Sequence, residues 1–398
     1  MEQSKFNPQI YILMLVTFAV GTETYVFSGL LVQLARDLNV SVATAGQLSS
    51  SFAIAYALSA PFMANFSARF ERKKVLITAL AGLALINLIA AAMPSFESLL
   101  VVRIIGGIIA SLITPVAAAS ASALTDEKSR GKALAIVFSG LTLSLILGIP
   151  IGSLIGSVFN WRATFLFSGL LIILAAMGVG FILPNVPNTD QRGIKSLAIV
   201  KIKSVYINLL LTLIGFLATF TLTAYLSPVA KQVAGIEGSK VSLLQFAIGI
   251  GSIIGVIIGG KLTNHKYTPL MMKAGYSVLS ITLFCASLLM FRTISLGNTG
   301  NGIFLGFIFW IGTIAQFALA PIVQDRLIEA TPNNRNVVLA LNGSMIFLGQ
   351  GCGAAFGGIV ISSSGLSYLG FAGAVIAVVA ILITFIPIRG TVYKPVTV

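Results

Sequence analysis

Charged residues, cysteine and histidine are all scarce in this sequence. Only 9% of its 398 residues are Asp, Glu, Lys or Arg, whereas soluble domains carry about 25%. The two cysteines, Cys285 and Cys352, fall in apolar runs, and there is a single histidine, so the chain offers neither a disulfide framework nor a Cys/His metal motif. It also has no Walker lysine motif and no catalytic triad. We therefore expect no metal, no cofactor, no ATP-driven chemistry and no enzymatic activity.

Long apolar runs fill most of the chain. Apolar residues make up 57% of it, and a helix needs about 20 predominantly apolar residues to cross a bilayer. The pattern predicts an all-α membrane protein with twelve transmembrane helices. The predicted spans are 10–34, 44–67, 75–94, 98–124, 132–158, 162–184, 204–230, 241–262, 269–291, 301–324, 337–363 and 367–387.

The basic residues are distributed unevenly between the predicted loops. The formal net charge of +14 could suggest a nucleic-acid partner, but the charges lie in short loops between apolar blocks. With the N-terminus inside, the inside segments hold 19 of the 25 basic residues and the outside segments hold 5. Lys and Arg are enriched in cytoplasmic loops. We therefore predict no nucleic-acid binding, a lipid bilayer as the partner of the helices, and both termini in the cytoplasm.

Two glycine-rich stretches indicate an internal repeat. The stretch "LGIPIGSLIG" carries glycines four residues apart, and "LGQGCGAAFGG" repeats them 201 residues later. Such triplets can recur by chance in a chain with 39 glycines, but the matching helix rank favours a duplicated six-helix unit. We expect two pseudo-symmetric halves, 1–184 and 204–398, joined by a cytoplasmic linker at 185–203.

One carboxylate lies well inside a predicted span. It is Glu23, in the stretch "FAVGTETYVFSGLL". A charged group at the middle of a membrane helix costs about 2.5–3.5 kcal/mol on insertion scales, so Glu23 must be neutral, paired or in contact with a wet cavity. A proton-coupled carrier requires such a carboxyl to bind and release a proton. The alternative is a structural Glu23 that bonds a neighbouring helix and has no role in transport.

The one cation inside a predicted span is Arg103, in "LLVVRIIGGIIASL". Counted from the outer helix ends at 1.5 Å per residue, Glu23 and Arg103 differ in depth by roughly 4–9 Å. Arg103 could therefore pair with Glu23 or organise a polar cluster near the outer side. It could also extend to the interface, as long basic side chains do. Both residues are our candidates for proton coupling.

Three further sets of residues are candidates for gating, helix packing and substrate binding. Basic side chains after the second span can hold that loop inside, or gate the inner side by bonding helix C-termini; they are Arg69, Arg72, Lys73 and Lys74. Small residues spaced by four let helices approach closely; in the fifth span they are Gly148, Gly152 and Gly156, with Pro150 as a kink. Aromatic and amide side chains inside spans can line a substrate cavity, although most aromatics only pack; they are Tyr25, Tyr56, Phe220, Tyr225, Trp310, Gln316, Asn342 and Gln350.

Several stretches resemble one known family over most of the chain. "TETYVFSGLL" and "AGQLSSSFAIAYALSAP" are similar to the first two helices of the major facilitator superfamily, and "RIIGG" is similar to its fourth-helix signature. "GLTLSLILGIPIGSLIG" followed by "NWRATF" resembles the antiporter signature of helix five. Within the superfamily, the resemblance is to the drug:proton antiporter family with twelve helices, of the bacterial sugar-efflux or arabinose-efflux type.

The resemblance implies a transporter that exports a small organic solute, such as a drug or a sugar, in exchange for protons. It implies the bacterial inner membrane, energy from the proton gradient without a cofactor and, we expect, a monomer. One signature departs from the family: in "ANFSARFERKKVL", Ala68 stands where the family loop has an aspartate. A gating mechanism that needs this aspartate cannot operate here. A facilitator or importer of the same fold, with a structural Glu23, is the alternative.

Overall fold

The computed structural model describes residues 8–67, 69–185, 197–263, 267–293 and 296–387. Over these ranges the secondary structure is helical, with turns and no strand. The α-helices of the described ranges are α1 Pro8–Tyr25, α2 Leu31–Asp37, α3 Val42–Ser67, α4 Arg72–Ala92, α5 Phe96–Ala123, α6 Glu127–Leu143, α7 Ile149–Val158, α8 Trp161–Ile182, α9 Lys203–Thr223, α10 Leu226–Ala234, α11 Lys240–Lys261, α12 Thr268–Met290, α13 Gly297–Ala330, α14 Arg335–Ser364 and α15 Leu369–Thr384.

Each of the twelve predicted spans corresponds to a long helical segment in the part of the chain that the structure describes. Eleven of these segments are long and apolar enough to cross a membrane by length and composition. The twelfth is α3, which has 26 residues; the serines and Gln47 in its first half lower its hydropathy. The prediction of an all-α fold built from apolar helices is confirmed.

The first and seventh spans are broken near their C-terminal ends. α1 ends at Tyr25, and a short 3-10 helix, Ser28–Leu30, leads into α2. In the same way α9 and α10 are separate helices, and Pro228 lies in the first turn of α10, where a proline costs few helical hydrogen bonds. The sequence predicted continuous spans at 10–34 and 204–230, because hydropathy does not register an interruption of backbone hydrogen bonds.

The contacts within the chain define two compact units. The first unit consists of Met1–Ser41, Ser51–Ile194 and Gly238–Gly249, and the second of Val42–Ser50, Lys195–Glu237 and Ile250–Val398. The predicted boundaries at 184 and 204 stay a prediction. Most of the predicted linker, residues 186–196, lies outside the described residues, as does the loop position of Ala68.

In the first unit, α7 packs closely against α1. A Cβ atom at Gly148 would overlap Thr22, and one at Gly152 would overlap Val26. The third glycine, Gly156, would overlap Leu30, so the row of contacts runs from α1 onto the residues that follow it. Glycine at every fourth position therefore lets the two backbones approach, as small residues do between membrane helices.

Pro150 follows a change in the helical hydrogen-bond pattern. α6 passes through a π-helical stretch, Ser144–Gly148, before α7 begins. Because proline has no N–H, the carbonyl of Ile146 cannot receive the usual bond from four residues ahead. The interruption lies where the sequence predicted a kink; Ser144, Ile146 and Pro150 are buried there, whereas Leu147 is 41% exposed.

In the second unit, the repeated glycines have the same packing role on α14. A Cβ atom at Gly349 would come within 2.5 Å of the Leu213 carbonyl oxygen, and one at Gly353 within 2.6 Å of the Leu217 carbonyl oxygen. Both carbonyls belong to α9. The glycines of α14 thus pack against α9, and the internal repeat stays a prediction.

Candidate functional site

Glu23 lies two residues before the end of α1 and is 2% exposed. Of the acidic residues that the structure describes, it is the one that is buried. Thr22 and Thr24, on either side of it, are buried as well and return their hydroxyls to carbonyl oxygens of α1. The polar stretch at this helix end therefore satisfies its own hydroxyls and leaves the carboxyl directed away from α1.

Arg103 of α5 contacts this carboxyl directly. Its Nη1 lies 2.5 Å from Glu23 Oε1, and its Nη2 donates to the Thr24 carbonyl oxygen at 3.0 Å. The side chain is 1% exposed, so it does not extend to the membrane interface. Of the open possibilities for Arg103, the structure therefore has the pair with Glu23.

Ser168 of α8 completes the hydrogen bonds of the carboxyl. Its hydroxyl donates to Glu23 Oε2 at 3.1 Å, and the residue is fully buried. Each carboxylate oxygen of Glu23 thus has at least one donor, and the side chain of Asn87 also interacts with the carboxyl. The sequence did not predict Ser168, because an isolated hydroxyl in an apolar stretch such as "FLFSGLL" is shared by other serines of the spans.

Two aromatic rings enclose the guanidinium of Arg103. Its Cζ lies 4.2 Å from the ring centroid of Phe52 and 4.9 Å from that of Phe27. Cation–π contacts of this kind are worth up to about 2 kcal/mol when the cation is desolvated. The rings stabilise the charge while they keep water from it, so electrostatic interactions in the cluster are strong.

Protonation of Glu23 costs free energy in this geometry, because it leaves Arg103 without a counter-ion. With Glu23 ionised and Arg103 charged, the buried pair is neutral. A proton on Glu23 leaves the charge of Arg103 buried without a counter-ion, and removing one partner of such a pair costs about 3–5 kcal/mol. Any movement that rehydrates Arg103 or brings a new counter-ion would relieve this cost. Proton binding and rearrangement of the cluster are therefore energetically linked.

Two tyrosines predicted to line a substrate cavity lie in the first unit. Tyr25 is 7% and Tyr56 is 4% exposed. Tyr25 follows Glu23 on α1 and is close enough to Arg103 to interact with its charge. The structure thus brings Tyr25 into the neighbourhood of the ion pair, and a role of either tyrosine in binding stays a prediction.

Six cavity candidates lie in the second unit, and their polar groups are neutral. Thr212 donates to Asn342 Oδ1 at 2.7 Å, and Thr219 donates to Gln316 Oε1 at 3.3 Å. Tyr225 is fully buried and donates to the Ala354 carbonyl oxygen at 2.8 Å. The remaining three are half-buried; they are Phe220, Trp310 and Gln350.

The predicted gating residues occupy different environments. Arg72 is 5% exposed, and its Nη1 donates to the Ala119 carbonyl oxygen near the end of α5 at 2.8 Å. Lys74 forms an exposed ion pair with Glu71 at 3.1 Å, Lys73 is half-buried, and Arg69 is exposed. Arg72 is the member of the set that joins two helices, as the proposed gate requires.

Comparison with known proteins identifies the family. The family model described as Major Facilitator Superfamily matches residues 13–335. The chain belongs to the Major Facilitator Superfamily. It is therefore a multi-pass membrane transporter and not an enzyme, and this superfamily generally works without a cofactor.

Individual relatives cover most of the chain. A Bacillus subtilis (strain 168) protein named "Uncharacterized MFS-type transporter YbcL" is 31% identical over 384 residues, 95% of each chain. A Streptomyces lividans protein named "Chloramphenicol resistance protein" is 30% identical over 271 residues, which is 67% of this chain and 69% of that protein. Among solved structures, a D-xylose-proton symporter superposes with a TM-score of 0.79 at 16% identity, over 97% of this chain and 98% of that one. The major facilitator fold predicted from the sequence is confirmed.

Proposed function

We propose that this transporter is a proton-coupled antiporter that exports a small organic solute by alternating access. The observation that carries the proposal is the buried pair of Glu23 and Arg103, with its 2.5 Å contact and exposure of 1–2%. A carboxyl inside a membrane helix is costly, and within the described residues this one is held by a cation and a hydroxyl from two other helices. Such a carboxyl is a candidate proton site.

Glu23 would carry the proton, and Arg103 would change its contacts when Glu23 is protonated. When Glu23 is protonated, Arg103 loses its counter-ion, and its contacts to Phe27 and Phe52 no longer suffice to hold it. Reorganisation of Arg103 would move α5 relative to α1. In the same scheme, release of the Arg72 bond to Ala119 would accompany opening of the predicted cytoplasmic side.

Export is the direction that two observations favour. The fifth-span stretch "GLTLSLILGIPIGSLIG" resembles the antiporter signature, and one relative carries the name "Chloramphenicol resistance protein". Resistance to a compound fits its removal from the cell. As the sequence predicts, the proposed transporter would lie in the inner membrane of a bacterium, as a monomer with both termini in the cytoplasm.

The described polar groups favour a neutral solute that forms hydrogen bonds. In the second unit, Gln316 and Asn342 are amides held by hydroxyls and carry no charge. A buried carboxylate would be the usual partner of a strongly cationic drug, and Glu23 is already paired with Arg103. Amides and hydroxyls suit the hydroxyl and amide groups of sugars or of a compound such as chloramphenicol.

Inverted membrane vesicles with a luminal pH dye test the proposal. Respiration acidifies the lumen, and exchange of an added solute for luminal protons should reverse part of this acidification. We expect chloramphenicol to produce the reversal with the wild type but not with Glu23→Gln. Glu97→Gln is the matched control, because Glu97 is an exposed acid on α5, and it should behave like the wild type.

The facilitator or importer with a structural Glu23 remains the second candidate. It is favoured by the fact that both carboxylate oxygens of Glu23 already have donors, Arg103 and Ser168, so the side chain is satisfied without a proton. In this case a solute would enter the vesicles without any change in luminal pH. The Glu23→Gln protein that folds should then take up the solute like the wild type, again without a change in luminal pH.

A further inference from the structure

A cationic cavity lies at one end of the second unit, away from Glu23. Its volume is about 220 Å³, several times the roughly 30 Å³ that one water occupies in the liquid. Residues near the start of α9 and α12 and near the end of α13 and α15 line it. These helix ends are the ones that the distribution of basic residues predicts to be cytoplasmic.

Two cations face this cavity from different helices. They are Lys273 of α12 and Arg326 of α13, and within the described part of the chain the lining contains no acidic residue. Both side chains are half-buried. Two positive charges that share one partly enclosed space repel each other, and an anion between them would remove that repulsion.

Each of the two cations contacts an uncharged group beside the cavity. Lys273 Nζ lies 3.7 Å from the ring centroid of Phe385, and Arg326 Nη1 lies 2.8 Å from the sulfur of Met272. An aromatic face and a thioether are weak partners for a full charge. Arg326 also interacts electrostatically with Glu329, an exposed acid on the same helix that is not part of the lining.

The remaining walls and the rim are apolar. Buried Ile207 and Leu211 form one wall, and Phe385, which is 61% exposed, lies at the rim. Leu270 and Leu382, at the same helix ends, are 63% and 62% exposed. A phospholipid has a matching division, since its phosphate could occupy the cationic cavity while its acyl chains cover the exposed apolar side chains.

We propose that this cavity binds a phosphate group, with Lys273 and Arg326 as its ligands, and that the group belongs to an anionic phospholipid of the inner leaflet. Guanidinium groups bind phosphate oxygens through two parallel N–H donors, and the ammonium of lysine adds a compact charge. Basic pockets between membrane helices on the cytoplasmic side are suited to anionic head groups. The site is separate from proton coupling and does not depend on the direction of transport.

Thermal unfolding of the purified protein in maltoside micelles tests the proposal. Three probes are added in turn: dioleoyl phosphatidylglycerol, zwitterionic dioleoyl phosphatidylcholine, and inorganic phosphate. We expect phosphatidylglycerol to raise the unfolding midpoint of the wild type saturably and at lower concentration than phosphatidylcholine. The double variant Lys273→Gln/Arg326→Gln should need at least tenfold more phosphatidylglycerol for half of the effect.

A control variant removes the same charges elsewhere on the predicted cytoplasmic side. Lys261→Gln/Arg130→Gln alters two exposed residues outside the cavity and should respond to lipid like the wild type. Lys273→Arg keeps the charge and should also respond like the wild type. Equal responses of the wild type and of Lys273→Gln/Arg326→Gln overturn the proposal, as does a wild type that responds to no probe.

The probes also distinguish the source of the phosphate. If inorganic phosphate alone reproduces the rise in the wild type and not in Lys273→Gln/Arg326→Gln, the site takes phosphate from solution, which supports the ligand chemistry and overturns the lipid as its source. If the double variant does not fold, salt decides the question with the wild type alone. Screening by 0.5 M NaCl should weaken the phosphatidylglycerol effect, and an effect that salt leaves unchanged contradicts binding by charge.

Discussion

Replacement of Arg103 by methionine should destabilise the protein far more than removal of an exposed arginine. Methionine fills similar space but has no charge, so the Glu23 carboxylate would stay buried without its cation. Breaking a buried ion pair on one side costs about 3–5 kcal/mol. Glu23→Gln leaves the opposite charge uncompensated and should cost about as much.

The double variant Glu23→Gln/Arg103→Met should cost clearly less than the sum of the two single changes. It removes both charges from a site where each partner is at most 2% exposed, and replacing a whole buried pair by neutral groups is often close to neutral. If each single change costs about 3 kcal/mol and the double change no more than about 3, the interaction energy is about 3 kcal/mol, the upper end for residues in contact. Contacts of Arg103 to Phe27, Phe52 and the Thr24 carbonyl would account for the part that is not recovered.

The free energies of unfolding of the wild type and the three variants can be measured in mixed micelles, as the fraction of a denaturing detergent is increased. Arg162→Met is the matched control, because Arg162 also lies on an aromatic ring, that of Trp161 at 4.2 Å, but it is only half-buried. It should cost about 1–2 kcal/mol, because it loses the ring contact and the hydrogen bond from Arg162 Nη2 to the Met93 carbonyl oxygen. A cost of Arg103→Met below about 1 kcal/mol, or additive single and double variants, would contradict a stabilising pair between Glu23 and Arg103.

Two further predictions concern packing in each unit. Gly152→Ala should lower the stability by about 1–3 kcal/mol, because the added Cβ overlaps Val26. The control Gly180→Ala meets nothing within 4 Å and should be neutral or stabilising. Equal effects in the same unfolding measurement would contradict the close packing of α7. Thr212→Ala should lower the stability by about 1–3 kcal/mol, because it removes the hydroxyl that donates to the buried Asn342. Thr212→Ser keeps the hydroxyl and should restore the stability. A serine variant as unstable as the alanine variant would show that the hydrogen bond is not the cause.

The positions of the helices could be predicted from the sequence because each apolar run is about as long as a helix that crosses a bilayer. Even α3, with Gln47 and several serines in its first half, was predicted. The interruptions were not predictable in this way. The 3-10 turn Ser28–Leu30 and the π-helical stretch Ser144–Gly148 are changes in backbone hydrogen bonding. Of the two, the sequence indicates only the second, through the nearby Pro150.

The two charged members of the candidate site were predictable from the sequence, but their contacts were not. Glu23 and Arg103 stand out as charges in apolar runs, yet the sequence fixes only their depth and not the rotation of α1 and α5 about their axes. A depth difference of roughly 4–9 Å allowed contact or separation, and the structure has contact. Ser168 could not be ranked above other buried serines, since its bond to Glu23 depends on how α8 packs against α1.

The extended end of α13 shows a further limit of hydropathy. The predicted span 301–324 ends before Asp325, whereas the helix continues to Ala330. Charged residues end an apolar run but not a helix, because Arg and Glu are good helix formers. This extension brings Arg326 to the cationic cavity, which no sequence pattern indicated.

Proton release on solute binding shows whether Glu23 is the coupling acid. Purified protein in weakly buffered detergent solution, at a pH at which Glu23 carries its proton before the solute is added, would be mixed with chloramphenicol. The change in pH would be followed for the wild type, Glu23→Gln and the control Glu97→Gln. We expect release from the wild type and from Glu97→Gln, and none from a folded Glu23→Gln that still binds the compound. Equal release from Glu23→Gln, or binding to the wild type without release, would contradict the assignment of Glu23 as the coupling acid.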